Sequence, residues 1–151
     1  MKHLKNLSEL QSLVGEEIGT SEWIDITQDM INVFAKLTMD EQWIHVDEKM
    51  AAEHSPFGRT VAHGFMILSF ASKVCYDVLK VDDIKMGLNY GLDRVRFPNP
   101  ILVGSKVRGR VSLDSVEHIE NGMKYKLIVL FEMKGQEKPA CVAEFLGVGY
   151  V

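Results

Sequence analysis

Residues 60–81, TVAHGFMILSFASKVCYDVLKV, are the most apolar stretch of the chain and decide its fold. The stretch is compatible with a helix and is apolar nearly all round from Val61 to Leu79, which is typical of a helix buried on most sides. Gly64 would weaken the middle of a helix, so we place it near the N-terminus, where it lets a ligand approach free backbone N–H groups. The stretch therefore predicts one long buried helix.

After residue 84 the pattern changes from helix to strand. Four segments are rich in Val, Ile, Leu, Phe and Tyr, and turn signals at Pro98-Asn99-Pro100, Asn121-Gly122 and Gly135 separate them. The four are KMGLNYGLDRVRFPNPI, SKVRGRVSLDSVEHIE, MKYKLIVLFEMKG and KPACVAEFLGVGYV.

The part before residue 60 predicts a short helical turn that ends at Gly15, a strand in GTSEWIDI, and two helices. Thr27 is a suitable N-cap for a helix over TQDMINVFAKLT, and EKMAAEHS is a second short helix stopped by Pro56. MDEQWIHVD between them is predicted to be a loop. Because helices and strands are segregated along the chain, we predict the α+β class, with an antiparallel sheet against the long helix.

One helix covers only one face of a sheet of about five strands. The segments KLIVLF and CVAEFLGVGYV are apolar on both faces, so we expect a second layer or a sheet edge supplied by another copy. A homodimer is the simplest symmetric solution.

Length and composition limit the possible classes. The 151 residues predict a single domain over 1–151, and 46% hydrophobic and 25% charged residues are ordinary for a globular protein. A net charge of −4 without a Lys/Arg cluster disfavours nucleic acid and anionic membranes as the main partner. No signal peptide and no spanning segment are evident, so we expect a cytoplasmic protein. Cys75 and Cys141 are interpreted as buried small hydrophobic residues.

Asp40 and His45 are the first candidates for chemistry. On one helix they would point about 140° apart, but a loop between them allows the two side chains to meet. A carboxylate and an imidazole, with ordinary pKa values of about 3.9 and 6.5, can act as acid and base on one water molecule. The alternative is an aspartate that caps a helix beside a histidine with the same structural role.

Other chemistries lack their signatures. His45, Asp47, His54 and His63 do not show the His-x-x-x-His spacing that places two imidazoles on one helical face, so no metal site is predicted. Neither a phosphate-binding glycine loop nor a G-x-S-x-G nucleophile motif occurs.

The segments MDEQWIHVDEKMA and PFGRTVAHGFMILSF together resemble the hydratase signature of the MaoC-like dehydratases, the (R)-specific enoyl-CoA hydratases. The resemblance covers residues from about 20 to 150 and is closest to single-domain members related to nodulation protein N. The matching positions are Asp40, His45, Ala51, Phe57, Gly58, Ala62, His63 and Gly64.

The resemblance implies a hotdog fold, a long helix wrapped by a curved antiparallel sheet, with dimers that join their sheets. It also implies that Asp40 and His45 activate water for addition across the 2,3 double bond of an enoyl thioester, or run the reverse dehydration, without a metal or redox cofactor. The substrate would be a thioester of coenzyme A or of acyl-carrier protein. Gly64 would donate its N–H to the thioester oxygen, although close helix packing is another reason for a glycine.

Further substrate contacts follow from the same resemblance. Phe65, Met66 and Leu68 are candidates for an acyl tunnel, with core packing as the alternative. Arg94 and Arg96 share a strand face and suit phosphate, with solvation as the alternative. The full set of expected substrate-binding residues is Gln42, Phe57, Ala62, His63, Asn89, Tyr90, Arg94 and Arg96.

The chain departs from the signature in its loop. Many members have Gly before the aspartate and Asn-Pro after it, whereas this chain has Met39 and Gln42-Trp43. Trp43 would narrow the acyl pocket, so chain length stays open. Two rival functions also stay open: a hotdog thioesterase, for which Asp77 is the sole carboxylate on the long helix, and a non-catalytic binder of acyl thioesters.

Overall fold

A computed structural model describes residues 1–151 and contains eight strands and five α-helices. A 3-10 helix over Leu7–Leu13 follows the first strand. The strands are β1 Lys2–Leu4, β2 Glu17–Thr20, β3 Ile24–Asp25, β4 Leu79–Val81, β5 Met86–Arg96, β6 Lys106–Ile119, β7 Gly122–Met133 and β8 Cys141–Tyr150. The helices are α1 Gln28–Thr38, α2 Trp43–Val46, α3 Glu48–His54, α4 Gly64–Ser69 and α5 Ala71–Val78.

The main sheet is antiparallel and has six strands in the order β2-β6-β7-β8-β5, with β3 also paired to β6. Its four long strands are the four predicted after residue 84, and α+β is the observed class. The predicted strand in GTSEWIDI is instead divided into β2 and β3. Strand β5 lies at an edge, and its pairing with β8 shifts register twice, next to Gly91 and between Leu92 and Arg94.

The predicted long helix begins at Gly64, as its glycine indicated, but it is shorter than residues 60–81. Thr60–His63 are not helical, and Leu79–Val81 form β4, which pairs with β1 in a separate parallel ladder. Phe70, with helical backbone angles, joins α4 to α5. The expectation of burial on most sides is wrong for this single copy, because Phe65 and Tyr76 are 69% and 71% exposed.

The core lies between α4–α5 and the inner face of the sheet. Ile67 and Val74 on the helices and Val129 and Phe131 on β7 are fully buried there. Burying one such side chain stabilises the fold by roughly 1.5–3 kcal/mol. Gly109 on β6 permits this close approach, since a Cβ atom at that position would overlap the Val74 side chain.

The ends of α1 position the candidate site. The Thr27 hydroxyl accepts a hydrogen bond from Met30 N–H and caps the helix, as predicted. After Thr38 the chain turns at Met39, whose φ of 62° is in the left-handed region that glycine prefers. The predicted loop over MDEQWIHVD is therefore only partly irregular, because α2 lies within it.

The hairpin signal Asn121-Gly122 is confirmed: β6 and β7 pair up to Ile119 and Gly122, and Asn121 has a positive φ. Both cysteines are free, with Cys141 buried and Cys75 partly buried. None of the helices has the length and apolar character needed to span a membrane.

Candidate active site

The turn after α1 brings Asp40 and His45 together. Asp40 lies outside regular secondary structure, whereas His45 lies on α2, so the 140° separation of one continuous helix does not apply. His63, the N-cap residue of α4, completes the group. One side-chain atom from each of Asp40, His45 and His63 lies within 4.8 Å of the others.

His45 is buried, and its ring orientation is fixed. Its Nδ1 lies 2.6 Å from the backbone oxygen of Val61. Since a carbonyl oxygen only accepts, Nδ1 carries the proton and Nε2 keeps a free lone pair. Burial away from water lowers the pKa of His45 below its ordinary 6.5; the hydrogen bond to Val61 and the Asp40 charge oppose this, while His63 adds to it. The ring is therefore a neutral base near pH 7.

Gln28 at the start of α1 holds the backbone of this loop. Its side-chain Nε2 donates to the oxygen of His45 at 2.8 Å, and its Oε1 accepts from the buried hydroxyl of Thr60 at 2.5 Å. Sequence reasoning did not identify Gln28 or Thr60, because nothing in a single sequence connects two polar residues 32 positions apart.

His63 is almost fully buried against His45. The His45 and His63 rings stack with centroids 3.7 Å apart and an interplanar angle of 24°, and the Phe34 ring centroid lies 5.1 Å from that of His63. His63 Nε2 lies 2.9 Å from the backbone oxygen of Asp40 and therefore donates to it.

Asp40 differs from both histidines in its exposure. Its side chain is 57% exposed, and one carboxylate oxygen lies 3.9 Å from His63 Nε2. The site thus combines an exposed anion with a buried, neutral imidazole, two groups able to act on one water molecule from different sides.

The same three residues raise the question of a metal ion. They offer two imidazoles and a carboxylate, a donor set that zinc accepts. One nitrogen of each ring is already hydrogen-bonded to a backbone oxygen, His45 Nδ1 to Val61 and His63 Nε2 to Asp40. Of the other residues considered for a metal, Asp47 caps α3 through Met50 N–H, and His54 is exposed near Glu53.

Gly64 lies directly under an aromatic ring. A Cβ atom at this position would come within 3.0 Å of two ring atoms of Phe97, and Phe97 in turn contacts Phe65 edge-on. Close packing against Phe97 is therefore one structural reason for a glycine at position 64. As the first residue of α4, Gly64 also has a backbone N–H without an intrahelical acceptor.

A cavity of about 480 Å³ opens farther along the same helix. Its lining is mostly apolar and comes from α5, β4, β5, β7, β8 and the N-terminus. Burial raises the pKa of the Cys75 thiol in this lining to about 12, which marks the surroundings as apolar. The lining includes Ser72, Cys75 and Tyr76 of α5, Leu79 of β4, Asn89 of β5, and Tyr125, Leu127 and Phe145 on the inner sheet face.

Some of the residues expected to bind substrate lie near the Asp40–His45 cluster or the cavity, and the others lie at the surface. Gln42 caps α2, where its backbone oxygen accepts from His45 N–H. Ala62 is buried beside His63, and its N–H donates to the oxygen of Ile101. Phe57 is exposed in the turn after α3.

The remaining candidates on β5 point elsewhere. Arg94 and Arg96 pair with Glu144 and Val142, which alternate with core residues of β8, so both arginines lie on the outer sheet face. Tyr90 is exposed, and the Lys124 ammonium lies 5.1 Å from the centre of its ring. Within one chain none of the three is part of the Asp40–His45 cluster.

Of the acyl-tunnel candidates, Met66 is buried in the core, so core packing accounts for it. Phe65 is exposed and Leu68 is partly buried; both lie on the helix face that continues to Ser72 and Cys75.

A six-stranded antiparallel sheet around a central helix, with Asp40, His45 and His63 grouped at the N-terminal end of that helix, is the arrangement of a hotdog-fold protein. The sequence profile described as "MaoC like domain" matches residues 9–130. The chain belongs to this family.

Curated relatives span the whole chain. "3-hydroxyacyl-thioester dehydratase Z" of Mycobacterium tuberculosis (strain ATCC 25618 / H37Rv) is 44% identical over 152 residues, which cover 100% of this chain and 99% of the relative. "Nodulation protein N" of Rhizobium meliloti (strain 1021) is 43% identical over 148 residues, covering 97% and 92%. The suggested kinship to nodulation protein N is therefore confirmed.

Among solved structures, an unliganded R-hydratase from Pseudomonas aeruginosa superimposes with a TM-score of 0.73. It shares 18% sequence identity, and the match covers 97% of this chain and 88% of the other. At this identity the similarity establishes the fold, which confirms the hotdog prediction.

Proposed function

We propose that the protein catalyses the (R)-specific hydration of a trans-2-enoyl thioester to a 3-hydroxyacyl thioester, or the reverse dehydration. The observation that carries this proposal is the meeting of Asp40, His45 and the N-terminus of α4 at one place. Family membership supports it, as does the name of the mycobacterial relative, which describes dehydration of a 3-hydroxyacyl thioester.

The two side chains have different roles, since Asp40 orients the water molecule and His45 transfers the proton. The Asp40 carboxylate accepts a hydrogen bond from water and orients it toward C3, while His45 Nε2, whose lone pair is free, accepts the proton that the water loses. As the oxygen–C3 bond forms, the electron pair of the double bond shifts toward C2 and the thioester oxygen. The His45 imidazolium then returns its proton to C2, so that one water molecule is added overall.

Gly64 stabilises the negative charge that develops on the thioester oxygen. Its N–H is free at the first position of α4, and the partial positive charge of the helix N-terminus lies in the same direction. A preorganised donor of this kind contributes roughly 3 kcal/mol to the transition state. Phe97, packed on Gly64, forms the wall next to the reacting carbons.

The acyl chain follows the helix from Gly64 to the apolar cavity. Phe65 and Leu68 lie on the helix face that reaches Ser72, eight residues and about 12 Å farther along. Strand β5 runs the other way beside it, from the cavity at Asn89 to its end next to Phe97. A long acyl chain bound between the two would fill the cavity.

A homodimer suits this architecture. Strand β5 is a long edge strand, and Met86, Leu88 and Tyr90 on it are exposed, so a second copy is the simplest cover for its free backbone groups and apolar side chains. The carrier of the acyl group, coenzyme A or acyl-carrier protein, and the cytoplasmic location stay predictions from the sequence.

The test is incubation of the protein with crotonyl-CoA, following absorbance of the enoyl thioester and the chirality of the product. Formation of (R)-3-hydroxybutyryl-CoA, or of its longer homologue from a longer enoyl-CoA, is the expected result. Release of free thiol would identify a thioesterase instead, although Asp77 is already held in an ion pair with Lys73 at 2.7 Å. Tight binding without turnover on any chain length would identify a non-catalytic binder.

A further inference from the structure

His63 makes contacts with both members of the proposed acid–base pair. Its side chain is 3% exposed, its ring stacks on His45, and its Nε2 donates to the Asp40 backbone oxygen. Its own backbone oxygen accepts from the N–H groups of Met66 and Ile67 in the first turn of α4. The backbone of His63 is therefore fixed to α4, and its ring reaches back to the loop that carries Asp40.

Stability alone does not account for a histidine here. Its Nδ1 is the one buried side-chain nitrogen or oxygen atom in the structure without a hydrogen-bond partner, and a buried polar atom left in that state is costly. A phenylalanine would fill a similar volume and stack as well without this cost. The feature that only the histidine supplies is the N–H that donates to Asp40.

That donor acts on a segment outside regular secondary structure. Asp40 lies between the left-handed Met39 and helix α2, and its carboxylate is exposed, with His63 Nε2 at 3.9 Å as its nearest ionisable partner. The bond from His63 to its backbone oxygen links this loop to the N-terminus of the helix that carries Gly64.

We propose that His63 is a positioning residue, which fixes the Asp40 carboxylate relative to His45 and Gly64 through its hydrogen bond and its stacked ring. This inference rests on the proposed hydratase function. Asp40, His45 and Gly64 must be in position at the same time to act on C2, C3 and the thioester oxygen of one substrate. A misplacement of about 1 Å is enough to lower a reaction rate by about 100-fold. His63 is the residue that contacts two of these groups and precedes the third.

Two substitutions separate the hydrogen bond from the filling of space. His63→Phe keeps an aromatic ring but removes the donor, whereas His63→Gln keeps an amide N–H near the position of Nε2. We expect His63→Phe to lower kcat by about 10- to 100-fold with KM within about twofold of the parent, and His63→Gln to recover most of the loss. His54→Phe, the same change at an exposed histidine of α3, is the matched control and should leave kcat unchanged.

A readout independent of catalysis is hydrogen–deuterium exchange of the backbone amides of residues 39–42. Exchange should be faster in His63→Phe than in the parent, and close to the parent in His63→Gln. If His63→Phe does not fold, as judged by thermal unfolding, His63→Met replaces it, because methionine also fills the site without a donor.

The inference is overturned if the donor-free variant keeps both parental kcat and parental exchange, or if His63→Gln is as impaired as His63→Phe. If the parent itself hydrates no enoyl-CoA, the proposed function fails. In that case the exchange comparison still decides whether His63 holds the Asp40 loop.

Discussion

Filling the cavity along α5 should shorten the acyl chain that the protein accepts. Cys75 lies in the cavity wall, and burial raises the pKa of its thiol to about 12, so its side chain faces apolar space. Cys75→Trp places a large side chain in that space. The reacting end of the substrate, near Gly64, is eleven residues, or about 16 Å, away from Cys75 and should not be affected.

The structure sets the size of the effect. The distance of about 12 Å from Gly64 to Ser72 in the cavity wall corresponds to about nine or ten carbon–carbon bonds, so a four-carbon chain ends well before the cavity and chains longer than about ten carbons enter it. Each methylene buried there contributes about 0.8 kcal/mol, or about a fourfold increase in kcat/KM. Three methylenes that enter the cavity are therefore worth about 60-fold, and Cys75→Trp should remove most of that gain.

The assay is kcat/KM for trans-2-enoyl-CoA substrates from four to sixteen carbons. We expect the parent to improve with chain length beyond about ten carbons. Cys75→Trp should show no such improvement and retain the parental rate with crotonyl-CoA, while Lys73→Trp, at an exposed position of the same helix, should resemble the parent. If Cys75→Trp leaves the chain-length profile unchanged, the acyl chain does not occupy this cavity.

Four further predictions concern the loop and the helix N-terminus. Because neutral His45 is the base and burial lowers its pKa, kcat/KM should be constant from pH 8 to about 6.5 and fall tenfold per pH unit only below that pKa; a decline that begins above pH 7 would contradict this. Because folding lowers the pKa of His45, the contribution of the neutral ring to the free energy of unfolding is complete above about pH 6.5. It is lost as the pH falls toward the folded-state pKa of His45, which urea unfolding at several pH values measures. Met39→Gly should stabilise the fold by about 1 kcal/mol in urea unfolding, since Met39 is exposed and has a left-handed backbone; equal or lower stability would refute that reasoning. Gly64→Ala should lower kcat/KM by at least about tenfold, and adding Phe97→Leu should restore thermal stability but not the rate; a restored rate would mean that Gly64 serves packing alone.

Local signals in the sequence were sufficient for much of the fold. Thr27 caps α1, Gly64 begins α4, and Asn121-Gly122 forms the turn between β6 and β7, because each depends on a few neighbouring residues. The same reliance on neighbouring residues makes the predicted long helix too long. Residues 79–81 belong to a strand whose partner, β1, is almost 80 positions away in the sequence. Composition alone does not distinguish these two settings.

The site was predictable only in part. The motif indicated Asp40, His45 and Gly64, and the structure brings Asp40 and His45 together beside His63, the residue before Gly64. The supporting contacts of Gln28 and the stacking of His63 on His45 depend on tertiary packing between distant segments. The faces of β5 were also not predictable, since two shifts in register place Arg94 and Arg96 on the outer face. Simple alternation along the strand does not reveal such shifts.

The most direct test of the central claim is a comparison of Asp40→Asn, His45→Gln and the double variant with the parent in crotonyl-CoA hydration, with thermal unfolding as the control for folding. Each single change should lower the rate by about 100-fold or more, and the double variant should be little worse than the poorer single variant, because the two groups act on one water molecule. A folded single variant that hydrates crotonyl-CoA at the parental rate would contradict the account.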